Sequence, residues 1–182
     1  MLMCELNKAA LIKHIEQKNY IRVETFTCES EAHDCMPLAT SDKLLFVLNF
    51  IDFLPDGYSI IRLKDITSVE HNDSCKYFGK IVKMEGALKL IDEAPDISID
   101  SWKTVFLSLK KMDIIVIADI GKEQCLNVGK ITKVRDADFS MHCFCTSGIW
   151  DENERHELYT DITSVRFLNH YINTYSKYLS VP

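Results

Sequence analysis

Glycine and proline are both scarce, 6 and 4 of 182 residues. A long flexible linker is built from such residues, so none is expected between folded units. No apolar run reaches the roughly 18 residues that cross a bilayer as a helix, so no membrane partner is expected. The opening Met-Leu-Met-Cys-Glu-Leu-Asn-Lys brings in Glu5 and Lys8 before an apolar run can form, so no signal peptide is read there. Phosphate-cradling glycine loops are missing: neither G-x-G-x-x-G nor a Walker sequence occurs. A basic excess is missing too. The net charge is −6, which argues against a general nucleic-acid coat, because nonspecific affinity comes from Lys and Arg neutralising phosphates. The acidity is not confined to a tail, since residues 1–94 already carry 11 basic and 15 acidic groups.

What is present is the mix of a globular protein, 47% hydrophobic and 26% charged. Seven cysteines are irregularly spaced and odd in number, which points to reduced thiols and a cytoplasmic location. The strongest feature is a repeat. Asp-Ile-Thr-Ser-Val occurs at 65–69 and again at 161–165. A chance identity of that length has odds of roughly one in a hundred at average residue usage.

Carried backwards at the same offset of 96, Leu45 falls on Met141, Val47 on Cys143 and Leu48 on Phe144. Pro55-Asp56-Gly57 falls on Asp151-Glu152-Asn153, which keeps turn chemistry, and Asp-Gly between apolar runs is a hairpin signal. Further upstream the offset becomes 94, placing Leu11, Ile12 and Ile15 on Val105, Phe106 and Leu109. The difference is expected near 28–36 or 121–130, where a loop absorbs it.

Each unit reads as an amphipathic helix, about 6–17 and 101–111, and five short strands. The strands are expected at 20–27, 35–39, 44–53, 58–63 and 65–70. Their counterparts are 113–119, 129–134, 140–149, 154–159 and 161–166. The fold class is α+β, mainly β with helices. The architecture expected is two tandem five-stranded SH3-like or Sm-like small barrels, each preceded by a short helix. The domains would be 1–94, with a helical tail over 74–94 that Gly86 ends, and 95–182. The second would close on a helix carrying Tyr171, Tyr175 and Tyr178 on one face.

The central strand of the first unit is apolar on both faces. Leu45, Val47 and Ile51 lie on one, and Leu44, Phe46, Leu48 and Phe50 on the other. In the second unit one face is Ser140, His142, Phe144 and Thr146, so Met141 and Cys143 are expected inside. The extra apolar face of the first unit needs a cover: a helix, the second unit, or another copy in a homo-oligomer.

The stretch Asp56-Gly-Tyr-Ser-Ile-Ile-Arg-Leu-Lys-Asp-Ile66 resembles a pattern of uncharacterised bacterial proteins in which DGY, apolar residues and R-x-x-D-I follow an apolar strand. The resemblance spans roughly 40–75 and, more weakly, 137–175. It implies an SH3-like or Sm-like barrel and no catalytic residue. The second unit departs from the pattern, with Glu154 in place of Tyr58 and Leu158 in place of Arg62. The Arg-Gly pair of a late strand that marks true Sm proteins is missing.

Chemistry-bearing candidates are few. His142-Cys143-Phe144-Cys145 offers ligands, but the strand period sends His142 away from the two cysteines, and a metal needs three or four converging groups. Cys28, His33 and Cys35 share an acidic stretch, read as an exposed loop whose carboxylates oppose thiolate formation. Lys76, Lys80 and Lys83 recur at helical spacing, a pattern that a solvated face explains. No catalytic residue, metal ligand set or cofactor is assigned. The leading reading is a non-enzymatic binding or adaptor module for a protein or nucleic-acid partner. The candidate binding residues are Lys130, Lys133, Arg135, Tyr58 and Arg62. The alternatives are an RNA- or DNA-binding regulator and, more distantly, a metal or redox protein using Cys143 and Cys145.

Overall fold

The computed structural model describes residues 2–26, 30–121 and 125–179. Helix α1 (Leu2–Glu16) leads into β1 (Ile21–Phe26), β2 (Ser30–Thr40), β3 (Leu44–Ile51) and β4 (Leu54–Arg62). A single 3-10 turn, Leu63–Asp65, swings the chain into β5 (Ile66–Glu70), followed by α2 (Asp73–Met84) and α3 (Ala87–Asp92). The second half repeats the plan with α4 (Trp102–Met112), β6 (Ile115–Ile120), β7 (Cys125–Val134), β8 (Asp138–Cys143), β9 (Arg155–Leu158), β10 (Ile162–Phe167) and α5 (His170–Tyr175).

All ten strands form one antiparallel sheet in the order β5-β1-β2-β3-β4-β10-β6-β7-β8-β9. Each half therefore runs fifth, first, second, third, fourth. The expected barrels do not close by strand pairing: β4 hydrogen-bonds to β10 rather than to β5, and β9 does not pair with β10. The joint is apolar where it matters, with Ile60 opposite Val165 and Tyr58 opposite Phe167, and all four are buried.

Register confirms the repeat and corrects its alignment. In β2·β3 the pairing shifts between Pro37 and Ala39, with Pro37 opposite Val47. In β7·β8 it shifts between Ile131 and Lys133, with Ile131 opposite Met141. Val47 thus corresponds to Met141, not to Cys143, and Cys143 corresponds to Asn49. A second irregularity recurs where β1 meets β5, after Glu24, and where β6 meets β10, after Ile162. Such bulges bend a strand and increase its twist, and their repetition curves both halves alike. The two-residue difference lies in the β3–β4 hairpin and its counterpart, not near 28–36. Val47 pairs with Ser59, and Met141 with Arg155.

The first hairpin also turns at Asp52-Phe53, not at the expected Asp56-Gly57. Ile51 pairs with Leu54, and Asp52 and Phe53 take positive φ, 49° and 68°, as a two-residue hairpin turn requires. Phe53 is held there by an edge-on contact with Phe78, 5.0 Å between centroids. Asp56 and Gly57 instead form a bulge inside β4. Gly57 has φ 69°, and a Cβ there would lie 2.5 Å from the Asn169 nitrogen, so glycine lets β4 pass beneath the end of β10.

Helix formation follows the capping rules. Asn72 and Asn169 cap α2 and α5 in the same way, each side chain accepting from the N–H three residues on. Ser101 and Thr104 form a capping box for α4. The tail expected over 74–94 is two helices, broken where Gly86 takes φ 97°. Helix α5 ends at Tyr175; the rings of Tyr171 and Tyr175 meet at 4.8 Å, tilted by 44°, while Tyr178 lies beyond the helix and exposed.

The core covers both faces of β3. Leu45 and Val47 pack with Leu11 of α1 and with Ile21, Val23 and Cys35. Leu44, Phe46, Leu48 and Phe50 join a larger cluster with α2, α4 and Phe167. The extra apolar face is thus covered within the chain, which removes the reason to place a second copy on it. Met141 and Cys143 are buried as expected. The identical pentapeptides sit in different surroundings: Val165 is fully buried in the joint, whereas Val69 lies on the edge strand, half-buried.

Candidate functional site

The candidate binding residues do not converge. Lys130 is held by both carboxylate oxygens of Asp113 at 3.1 Å, and Lys133 by Glu154 at 3.0 Å. Arg135 pairs with Asp138 and donates to Ser140 Oγ at 3.1 Å. Three cations close in sequence are each neutralised by an acid brought in by the fold, so no basic patch forms there. Tyr58 is buried, its hydroxyl donating to the Leu90 carbonyl at 3.0 Å and its ring stacked on Phe167. It is a packing residue.

Two of the candidates border clefts: Lys130 one of about 370 Å³ beside α5, and Arg62 a larger one. The Arg62 side chain pairs with Asp65, and both are largely buried. Its Nη1 donates 2.9 Å to the Thr160 carbonyl of the second half. The cleft that it borders has a volume of about 610 Å³ and runs between the halves beside the β4·β10 joint. Leu44, Leu63, Trp102 and Tyr159 supply its apolar lining, Lys43, Arg62, Lys64 and Lys103 its cations, and Asp42 and Asp136 its carboxylates. Connections position these groups: β2 to β3, the turn after β4, the start of α4, β7 to β8 and the turn after β9.

Tyr159 caps a ladder of rings. Phe106 lies 3.8 Å from Phe139, and Tyr159 lies 5.9 Å from Phe139 at 7° between planes. Its hydroxyl donates to the Arg135 carbonyl at 3.1 Å, and burial pushes its pKa up to about 12. Lys103 is tied to Asp136, an arrangement repeated by Lys8 and Asp42 in the first half. Lys43 and Lys64 are exposed, and neither takes an ion-pair partner among the described residues. Apart from Arg62, sequence reasoning missed this set. The available signal was the repeat itself, which at its correct offset of 94 places Asp136 on Asp42.

A second polar group lies inside the sheet's curve. Ser164 and Arg166 hold the Asp119 carboxylate, Arg166 at 3.3 Å. Burial raises the Asp119 pKa despite both partners. His33 faces Thr25 at 3.3 Å, and burial lowers its pKa. The cavity among Thr25, His33, Asp65 and Ser164 has a volume of about 20 Å³. That is room for about one water, not for a substrate.

The cysteine candidates separate as well. Cys143 is buried and its thiol is pushed up to about 11 by burial. Cys145 lies exposed in the turn that follows, with its pKa lowered by hydrogen bonds from Ser147 and the Ile149 backbone. His142 turns its Nε2 to the Asp151 carbonyl at 2.7 Å. Residues 30–40 form a strand rather than an exposed loop, and Cys35 on it is fully buried, which raises its pKa. Cys28 lies outside the described residues. Among the described residues no group of three or more His, Cys, Asp or Glu side chains could hold a metal ion, and no helix is long and apolar enough to cross a membrane.

Compared with models of protein families, with curated proteins and with solved structures, the chain matches none.

Proposed function

We propose that this chain is a cytoplasmic, non-enzymatic binding module that seats a segment of single-stranded nucleic acid in the cleft between its halves. The observation that carries the reading is a lining in which Lys43 and Lys64, without an ion-pair partner among the described residues, adjoin Trp102 and Tyr159, while the two carboxylates there, Asp42 and Asp136, are held by Lys8 and Lys103. Single strands are bound by that combination: cations track the phosphates while bases meet ring faces. The net charge of −6 confines such binding to a local site.

Each half, 1–94 and 95–182, is read as a small open barrel of the SH3-like or Sm-like type. The strand order within each half and the leading helix support this reading. Barrels with so few short strands have interiors filled by side chains, so a ligand meets their loops and outer surfaces. The cleft is made of such loops.

A protein partner is the second reading. Ile51, Phe53 and Leu54 are exposed together at the tip of the first hairpin, an apolar patch suited to a protein surface.

Fluorescence anisotropy with a labelled single-stranded RNA or DNA oligonucleotide at low salt tests the proposal. Binding is expected to weaken about tenfold in the Lys43→Ala/Lys64→Ala variant. The slope of log K against log salt should fall by roughly 1.4, for two phosphates at about 0.7 each. Failure to bind either oligonucleotide, or an affinity unchanged by the double substitution, overturns it.

A further inference from the structure

Among the described residues the sheet ends in two strands that pair on one side only, β5 at one end and β9 at the other. They are different kinds of edge. Strand β5 is the fifth strand of its half, and β9 is the fourth of its own. The chain already contains one joint between a fourth strand and a fifth, β4 against β10. We infer that the two free edges repeat this joint between copies, so that β9 of one chain adds to β5 of the next and the protein assembles head to tail.

The internal joint fixes the register to test. Ser164 lies opposite Ile61, Val165 opposite Ile60, Arg166 opposite Ser59 and Phe167 opposite Tyr58. Substituting each residue by its counterpart in the other half places Ser68 opposite Glu157 and Val69 opposite His156. It places Glu70 opposite Arg155 and His71 opposite Glu154. The two full charges of opposite sign that meet directly are Glu70 and Arg155, and no like charges face each other. Cross-strand pairs of opposite charge stabilise an antiparallel ladder, and like pairs oppose it.

Charged, short edge strands usually serve to keep sheets apart. Both edges here are short, 5 and 4 residues. Charges that merely repelled strands would be of one sign, or out of register with the internal joint. These are complementary in the one register that the chain itself exhibits. Glu70 is exposed and accepts from Asn72 Nδ2 at 3.2 Å, and Arg155 reaches Asp151 Oδ2 at 2.9 Å. Both are surface contacts that can be shared with an arriving charge.

A head-to-tail joint uses a different surface on each partner, so it closes into a ring or continues as a filament, according to the rotation per copy. It does not stop at a symmetric dimer. This separates it from pairing of two β5 edges or two β9 edges, for which the chain offers no precedent.

Light scattering on the full chain after gel filtration, at low salt and over a series of concentrations, reads the outcome. The expected result is a species larger than one chain. Glu70→Arg and Arg155→Glu should each leave a folded monomer, because each places like charges across the joint. An equimolar mixture of the two variants should assemble again, since every joint in it can then pair opposite charges. Glu70→Arg changes an exposed side chain, so its reading does not depend on the Asn127 contact that Arg155 also makes. A wild-type chain that remains monomeric throughout overturns the inference. So does an assembly that Glu70→Arg leaves intact, or a mixture of variants that stays monomeric.

Discussion

Arg62 and Thr160 lie far apart in the sequence, yet the guanidinium of one donates 2.9 Å to the carbonyl of the other across the junction of the two halves. The same guanidinium is paired with Asp65, whose side chain is 11% exposed. Replacing Arg62 by Ala leaves that carboxylate with little water and no cation, and frees the Thr160 turn. A loss of about 2 kcal/mol is expected, within the range for an orphaned, largely buried charged group. Urea unfolding of Arg62→Ala beside wild type measures it, and a midpoint shift of negligible size would show that the clamp is idle.

Gly57 and Gly86 both take positive φ but differ in surroundings. A Cβ on Gly57 would meet the backbone at Leu168 and Asn169, whereas nothing lies within 4 Å of one on Gly86. Gly86→Ala should therefore lose only the conformational term, about 1 kcal/mol. Gly57→Ala adds a clash with backbone that belongs to the joint, and a loss of about 3 kcal/mol or more is expected. Thermal melts of the two variants should differ clearly in midpoint, Gly57→Ala being the lower.

The two pentapeptides give a matched pair of substitutions. Val165→Thr buries a hydroxyl in the joint, where a lost partner costs about 1–3 kcal/mol. Val69→Thr puts the same hydroxyl on a half-exposed edge, with an expected change of about 0.5 kcal/mol or less. Denaturant midpoints in a Glu70→Arg background, which keeps the β5 edge free, make the comparison direct. Equal effects would mean that the edge and the interior do not differ as described.

His33 gives the fold a sensitivity to acid. Burial holds its folded pKa below the ordinary 6.5, an effect that Glu31 opposes and Arg166 reinforces. The unfolded chain therefore binds the proton more readily. Stability associated with this residue is present above pH 6.5 and declines as the pH falls below that value. His33→Gln should flatten the stability profile below about pH 6.5. The flattening is partial, because His14 is also depressed, by burial first and then by His71 and Lys13. Asp119 acts in the opposite sense. Its raised pKa favours the folded state at low pH, and that contribution is lost as the pH rises through its folded value. Urea midpoints across that range test the prediction, and parallel profiles for wild type and His33→Gln would refute it.

The repeat was legible because five identical residues mark one strand and the corner before it. The register of the other strands was not. A fixed offset of 96 aligned Val47 with Cys143, and only the paired bulges after Pro37 and Ile131 show that Met141 is its counterpart. The hairpin at Asp52-Phe53 has a usual turn residue in Asp52 but an aromatic where glycine is the rule, and a ring contact with Phe78 holds that residue. Strand pattern also fails to say which neighbour β4 takes. Alternation records which face is buried, and β4 presents the same faces to β10 as it would to β5. The basic residues at 130–135 looked like a patch because their acids, Asp113 and Glu154, lie outside that stretch. The cleft, drawn from five separate connections, has no contiguous sequence at all.

The β4·β10 joint also sets an order of events during synthesis. The first half can complete β1 to β5 from its own residues, but the partner of its Ile60 is Val165. Until the ribosome has delivered nearly all of the second half, the fourth strand stands as a raw edge with Tyr58 and Ile60 beside it. Pairing that waits for distant sequence is slow to form, and an unsatisfied apolar edge is where nascent chains stick to one another. The joint that unites the finished sheet is thus the last strand pairing of the first half to form, and the interval before it forms is when the growing chain is most exposed to misassembly.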